Sequence, residues 1–265
     1  MGFLIKIDGA AFDEKYVIGK VDVPDEPIVP VIPVEIADYP VQDGLQGLYD
    51  LGGTAEATLT NHAQNPTYQP SGGTPKLEGA YEMADNYVTF SGVANKCRMA
   101  TYLRLPLDGG LTFVALFSAT ASDGVSNRPI ISNRSTTGGI GLGNHQFEYV
   151  EKAVNEKEVY ADRVGTSDFT ILAMTADTSG YKVCRYSSGE LKDVGVIAGN
   201  TDKCTGIDAW STNAIQIGGD STGTPYTTAR ISLAAIHTGK LTDEQLESVC
   251  KFVYKYGKQK GLTIV

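Results

Sequence analysis

The sequence predicts an all-β protein: an antiparallel sandwich, closed by one C-terminal helix and preceded by an extended, proline-rich N-terminal arm. Three observations carry this expectation. Short apolar or alternating runs recur between turn clusters at roughly 8 to 12 residue intervals, the spacing of sandwich strands. Only residues 242–257 show apolar spacing that fits a long helix. Prolines 24, 27, 30, 33 and 40 punctuate the start of the chain, where they favour polyproline II and cannot donate to a central ladder. The expected organisation is an arm over residues 1–40 and a sandwich over 41–265.

In chain order, 3–7 and 16–21 could each form a short strand. Between prolines 27 and 40 lie Ile28, Val29, Val31, Ile32, Val34 and Ile36. This apolar set would be wasted on a solvated linker, so the arm is expected to dock. It can lie on its own domain or on another subunit, and the second option makes these six residues an assembly surface.

From 47 onward the signals are β. Strands are expected over 48–51, 76–83, 87–91, 99–105, 111–119, 128–133, 139–142, 146–151, 158–164, 169–176, 181–186, 214–218 and 229–237. The runs 111–119 and 169–176 are apolar at consecutive positions, so they belong in the middle of a sheet covered on both faces. The helix has a capping box, Thr242 with Gln245, and a staple, Leu241 with Leu246. Its stripe is Leu246, Val249, Cys250, Val253 and Tyr254, and Gly257 and Gly261 are its stop signals.

Composition bounds the function. The chain has 265 residues and a formal net charge of −9, which leaves no basic stripe for a nucleic-acid backbone. No apolar run approaches the roughly 20 residues of a spanning helix, and Met1–Ile7 is too short for a signal-peptide apolar region. Cysteines 97, 184, 204 and 250 match no zinc spacing and read as buried thiols, with a disulfide through Cys204 as the alternative.

The order of features then resembles the concanavalin A-like lectin/glucanase jelly roll in its laminin-G-like form. The residues that carry it are Gly47-Leu-Tyr-Asp-Leu-Gly52, Asn61, Tyr87-Val-Thr-Phe90, the runs 111–119 and 169–186, Ile217-Gly-Gly219 and Leu241-Thr-Asp-Glu-Gln-Leu246, spread over 45–265. Modules of this kind with a short N-terminal arm also resemble parts of bacteriophage virions. What the resemblance implies is a structural or adhesive virion protein, assembled in the host cytoplasm and held by its arm to other virion proteins or its own copies. The alternative is a carbohydrate-binding, receptor-recognising module on a phage or bacterial surface.

Candidate chemistry is sparse. Glucanases of this fold carry paired acids on one strand, flanking the sugar bond at about 5 Å in retaining enzymes. Here Glu148 and Glu151 are three apart, hence on opposite strand faces, while Glu156 and Glu158 share a face at the start of a polar loop. His62, His145 and His237 have no ligand-spaced partner, and Gly138–Gly143 precedes no helix, which removes a phosphate cradle. No cofactor is expected. Calcium, which the resemblance would allow at a rim, could use Asp177, Asp208 or Asp220, but no dense acidic word exists. The glycan candidates are Asp208, Trp210, Asn213 and Tyr226: two ring faces for a pyranose and two polar groups for its hydroxyls. The plainer reading of Trp210 is a core residue. A glycan hydrolase is the least favoured activity.

Overall fold

The computed structural model describes residues 33–91, 97–105, 109–119, 129–133, 139–143, 146–151, 154–159, 168–177, 180–187, 189–198, 213–219 and 228–265. Pro33–Val265 form one compact unit. Its described strands are β1 (Leu45–Asp50), β2 (Lys76–Glu78), β3 (Tyr81–Met83), β4 (Val88–Phe90), β5 (Arg98–Ala100), β6 (Leu111–Ala119), β7 (Pro129–Ser132) and β8 (Gly139–Gly143). They continue with β9 (Gln146–Glu151), β10 (Val154–Val159), β11 (Thr170–Asp177), β12 (Gly180–Ser187), β13 (Glu190–Ala198), β14 (Gln216–Ile217) and β15 (Ala229–Thr238). A short helix α1 (Ala55–Leu59) follows β1, and the long helix α2 (Asp243–Gln259) follows β15.

The strands make two antiparallel sheets, so the protein is a β-sandwich with a C-terminal helix. One sheet runs β13-β12-β11-β6-β15-β4-β3, with β1 also on β15. The other runs β10-β9-β8-β7-β14-β5-β2. Strand β15 organises the first sheet. One edge pairs with β6 along its length, and the other is shared, Ala229–Ile231 by β4 and Leu233–His237 by β1. The register against β6 shifts between Ile231 and Leu233, a bulge at Ser232 that moves the alternation by one. Ala229 and Ile231 face the inter-sheet core before it, and Ala234 and Ile236 after it.

Sheet one is covered on both faces, which explains its unbroken apolar runs. From β6, Phe113, Ala115 and Phe117 join the inter-sheet core with Met99, Ile131, Leu142 and Ile217 of sheet two. Val114 and Leu116 point the other way, into a second core with Leu246, Val249, Cys250 and Val253 of α2. Thr242 caps α2 in a full capping box with Gln245, and Leu241 and Leu246 are both buried at its start.

Several sequence expectations shift. Residues 76–83 are two strands in different sheets, because Gly79, at φ +75°, lets the chain cross between layers. The strand expected over 99–105 ends at Ala100. The one expected over 158–164 is β10, starting at Val154, so Glu156 and Glu158 are strand residues rather than loop residues. Strand β13 was not anticipated. Gly257 is no stop signal: it lies inside α2, where a Cβ would stand 2.6 Å from Leu116 Cδ2 and 2.7 Å from Ile264 Cδ1. The helix needs this close approach to seat on sheet one, and Gly261, at φ +79°, follows its end. Tyr254 is only half-buried, whereas Phe252 and Tyr256 are buried, because α2 packs on two sides.

The second side is the segment entering β1. Tyr39, 2% exposed, meets Phe252 edge-on at 5.5 Å. Val34 and Ile36 pack half-buried against the helix-side core, and the Gln259 amide clasps Val34 at both its N–H (2.8 Å) and its carbonyl (3.2 Å). Asn61 works similarly on β1, accepting from Leu48 N at 2.9 Å and donating to Gln46 O at 2.8 Å. A single side-chain amide thereby stands in for a neighbouring strand.

Candidate functional site

Helix α2 occupies the outside of sheet one. The outer face of sheet two is built differently. Backbone register sets one row across it: Lys157, Glu148, Gly141, Ser132, Gln216, Ala100 and Lys76. The alternate residues Ile140, Leu142, Ile131, Ile217 and Met99 belong to the inter-sheet core, so strand alternation puts this row on the opposite face.

The middle of the row is small and polar. A Cβ on Gly141 would lie 3.0 Å from Ser132 Oγ, and Ser132 Oγ donates to Ile140 O at 3.3 Å. Beside it, Asn133 Oδ1 accepts from Ile140 N at 2.8 Å, and Thr101 Oγ1 donates to Ile215 O at 2.7 Å. Gln216 Nε2 donates to Ala214 O at 3.2 Å. Its Oε1 is buried and has no partner. An acceptor left in that condition costs about 1–3 kcal/mol.

At the β2 end the row meets a charged cluster. Glu78 accepts from Lys76 at 2.7 Å and from Arg98 Nε at 2.9 Å. Burial alone would raise the Glu78 carboxyl, but hydrogen bonds from Lys76 and Arg98 overcome it and hold the group below its usual value. The Lys76 ammonium also stands 5.8 Å from the centre of the Tyr102 ring. Tyr102 is the one non-glycine residue with positive φ, +59°, among the described residues. Such a backbone costs about 1–3 kcal/mol and is retained where its surroundings impose it. Here they include Gly73, whose Cβ would come within 2.6 Å of the Tyr102 ring. Neither Gln216 nor Tyr102 carries a sequence signal, since an orphaned acceptor and a left-handed tyrosine are tertiary properties.

Of the residues the sequence put forward for glycan binding, Asp208, Trp210 and Tyr226 lie outside the described residues. Asn213 is half-buried, three positions before Gln216. The candidate residues lie between 206 and 226, a span that contains β14. Of the assembly residues, Ile28, Val29, Val31 and Ile32 lie outside the described residues, and Val34 and Ile36 pack as given above. In backbone register Glu148 pairs with Gly141 and Lys157, and Glu151 pairs with Val154.

Cys97, Cys184 and Cys250 are buried free thiols, while Cys204 lies outside the described residues. His62 donates its backbone N–H to Leu48 O, His145 lies outside the described residues, and His237 is fully buried. His237 Nδ1 can only donate to Asp43 O (3.4 Å), so Nε2 accepts from the Tyr39 hydroxyl (3.0 Å). Burial lowers this imidazole to about 4, against a smaller raising effect of Asp43. Of the calcium candidates, Asp177 pairs with Lys240 at 3.2 Å, and Asp208 and Asp220 lie outside the described residues. Among the described residues no group of three or more metal-ligating side chains comes together, and no helix is long and apolar enough to cross a membrane.

No protein-family model matches the chain, and no curated protein matches it in sequence. Solved structures do match in fold. Trypanosoma rangeli sialidase superposes with a TM-score of 0.52 at 15% identity, over 85% of this chain and 35% of that one. The receptor-binding domain of botulinum neurotoxin C/D mosaic serotype gives 0.52 at 13% identity, over 80% of this chain and 52% of that one. Domain 4 of AbnA, a GH43 extracellular arabinanase from Geobacillus stearothermophilus, in complex with arabinotriose, gives 0.51 at 17% identity, over 78% of this chain and 98% of that one. The chain thus spans about a third of the sialidase and half of the toxin domain, but nearly all of the arabinanase domain. At these identities the likeness establishes the β-sandwich fold and nothing finer.

Proposed function

We propose that this chain is a non-catalytic recognition module that binds saccharide on the outer face of its seven-stranded sheet. The observation that carries this reading is Gln216, whose amide oxygen is buried without a partner in the middle of that face. A ligand hydroxyl would relieve it. Gly141, Ser132 and Ala100 beside it are small but are themselves buried, so a ring would have to displace whatever covers this face. Tyr102 and Lys76 supply an aromatic and a donor at one edge, and the stretches with Asp208, Trp210, Asn213 and Tyr226 adjoin β14 in sequence. Two fold neighbours described as binding domains, and a third, domain 4 of an arabinanase, in complex with arabinotriose, support the same class. Hydrolysis would need a second acid about 5 Å from the first, and the sequence holds no paired-acid word of the kind glucanases of this fold carry. No metal or cofactor is invoked.

The test displays wild type, Gln216→Ala, Tyr102→Ala and Trp210→Ala multivalently on a glycan array, with melting measured alongside. Multivalency matters because single sugar sites are weak, and several copies raise avidity by roughly 10² to 10⁴. The expected result is at least tenfold weaker binding for Gln216→Ala at unchanged melting temperature. Retained binding in all three variants sinks the proposal.

A second role, attachment to a virion or comparable assembly through the arm, is supported by the proline-spaced Ile28, Val29, Val31 and Ile32. Removing residues 1–32 should then abolish assembly and leave the melt intact, and assembly without them would exclude it.

A further inference from the structure

We propose that a cleft at the strand ends of sheet one is a second saccharide site, one that takes a terminal sugar unit. This rests on the recognition reading above but uses different residues on the other sheet. The cleft measures about 390 Å³ and is framed by the turns that enter β1 and β6 and leave β15. That is the low end of the roughly 300–1,000 Å³ of small-molecule sites, enough for an end group and too small for a long chain segment.

Its wall is polar and nearly balanced in charge. Lys240 is tied to Asp177 at 3.2 Å. The Asp43 carboxylate has no hydrogen bond or ion pair among the described residues, while its backbone carbonyl is taken by His237. Gln245 spends its Oε1 on the Thr242 N–H, which leaves Nε2 as a donor. Tyr68 contributes its ring and packs on the inter-sheet core. A carboxylate acceptor, an amide donor, a spare ammonium proton and a ring face are the groups that a neutral polyol with one apolar face would engage. An anionic ligand would meet the unpaired Asp43 on a protein of formal net charge −9.

Two glycines define the space. Gly44, at φ +69°, is fixed by the fold, because a Cβ there would sit 2.4 Å from Thr238 O. Gly109 is different: no heavy atom lies within 4 Å of its Cβ position, and its φ is outside the left-handed range. Gly109 lines the cleft, so a large side chain there has room to occupy it without straining the backbone.

The experiment measures monomeric binding of short oligosaccharides by saturation-transfer NMR, with multivalent array binding in parallel. It compares wild type, Gly109→Trp, Asp43→Asn and Gln216→Ala. The expected result is at least a tenfold loss for Gly109→Trp and a smaller loss for Asp43→Asn, at wild-type melting temperature, with the Gln216→Ala defect independent of both. Wild-type binding in both cleft variants overturns the cleft site while leaving the sheet-two reading standing. Wild type that binds no saccharide in either assay overturns both readings. Binding of a simple amine such as tetramethylammonium, lost in Gly109→Trp and in Asp43→Asn without any saccharide effect, overturns the sugar assignment in favour of a cation.

Discussion

Gly257→Ala tests the packing of α2 on sheet one. In an exposed helix interior the change stabilises by about 0.5–1 kcal/mol, because alanine has the better helix propensity. At position 257 the new methyl would stand 2.6 Å from Leu116 Cδ2 and 2.7 Å from Ile264 Cδ1. Both contacts are far inside the roughly 3.5–4.0 Å optimum between carbons, and Leu116 is fully buried in the second core. Overpacking of this kind costs about 1–3 kcal/mol, which exceeds the propensity gain. The expected net loss is about 1–2 kcal/mol, or roughly 2–8 °C in a domain of this size. Urea unfolding and calorimetry read it. Ile264→Val removes one of the two clashing atoms, so the double variant should lose less than the sum of the singles, a coupling that neighbouring sites show. A Gly257→Ala protein as stable as wild type, or an additive double variant, refutes the close-approach account.

Two further predictions concern the segment before β1. His237 sits at about 4 in the folded state against about 6.5 when unfolded, so the unfolded chain binds the extra proton between these values. Stability from the neutral buried imidazole is full above pH 6.5 and is lost as pH falls toward 4, by up to about 3 kcal/mol. His237→Gln should flatten this slope in pH-dependent urea melts, and an unchanged slope would place the titration elsewhere. A chain starting at Pro33 should melt as the full chain does, whereas one starting at Val41 loses the Tyr39 ring from Phe252 and His237 and should lose about 2–4 kcal/mol in urea melts. Equal melts for the two would mean that Tyr39 contributes no packing.

How much the sequence reveals follows from where each signal lives. Strands β6 and β9 were legible residue for residue, β6 because nine consecutive buried positions leave no other reading. The capping box and staple were legible because they are local. Strand β13 was hidden: it is an edge strand that begins Glu-Leu-Lys-Asp, and polar residues on a free edge look like the turn before them. The bulge at Ser232 was hidden inside an apolar run, since only pairing with β6 reveals which residue is extra. Gly257 was misread because a glycine in a helix has two meanings, termination and close approach, and sequence cannot separate them. At the candidate site the loop residues Trp210 and Tyr226 have a compositional signal, whereas Gln216 is one polar residue in a short strand until its oxygen is found unsatisfied.

The two sheets differ in the side chains they place on their outer faces, and the proposed site rests on that difference. Sheet one buries apolar side chains on both faces, with α2 and Tyr39 sealing the outer one. Large side chains such as Leu116 and Leu233 are therefore its solution on that face. Sheet two contributes to the same inter-sheet core but places three small residues, Gly141, Ser132 and Ala100, and the amide of Gln216 opposite it, all of them buried. A face meant only to receive another apolar layer would gain by larger side chains there, roughly 25 cal/mol for each Å² of apolar area buried. Small residues with an unsatisfied acceptor make sense where something polar and flat arrives from outside, and a saccharide ring has that shape and chemistry.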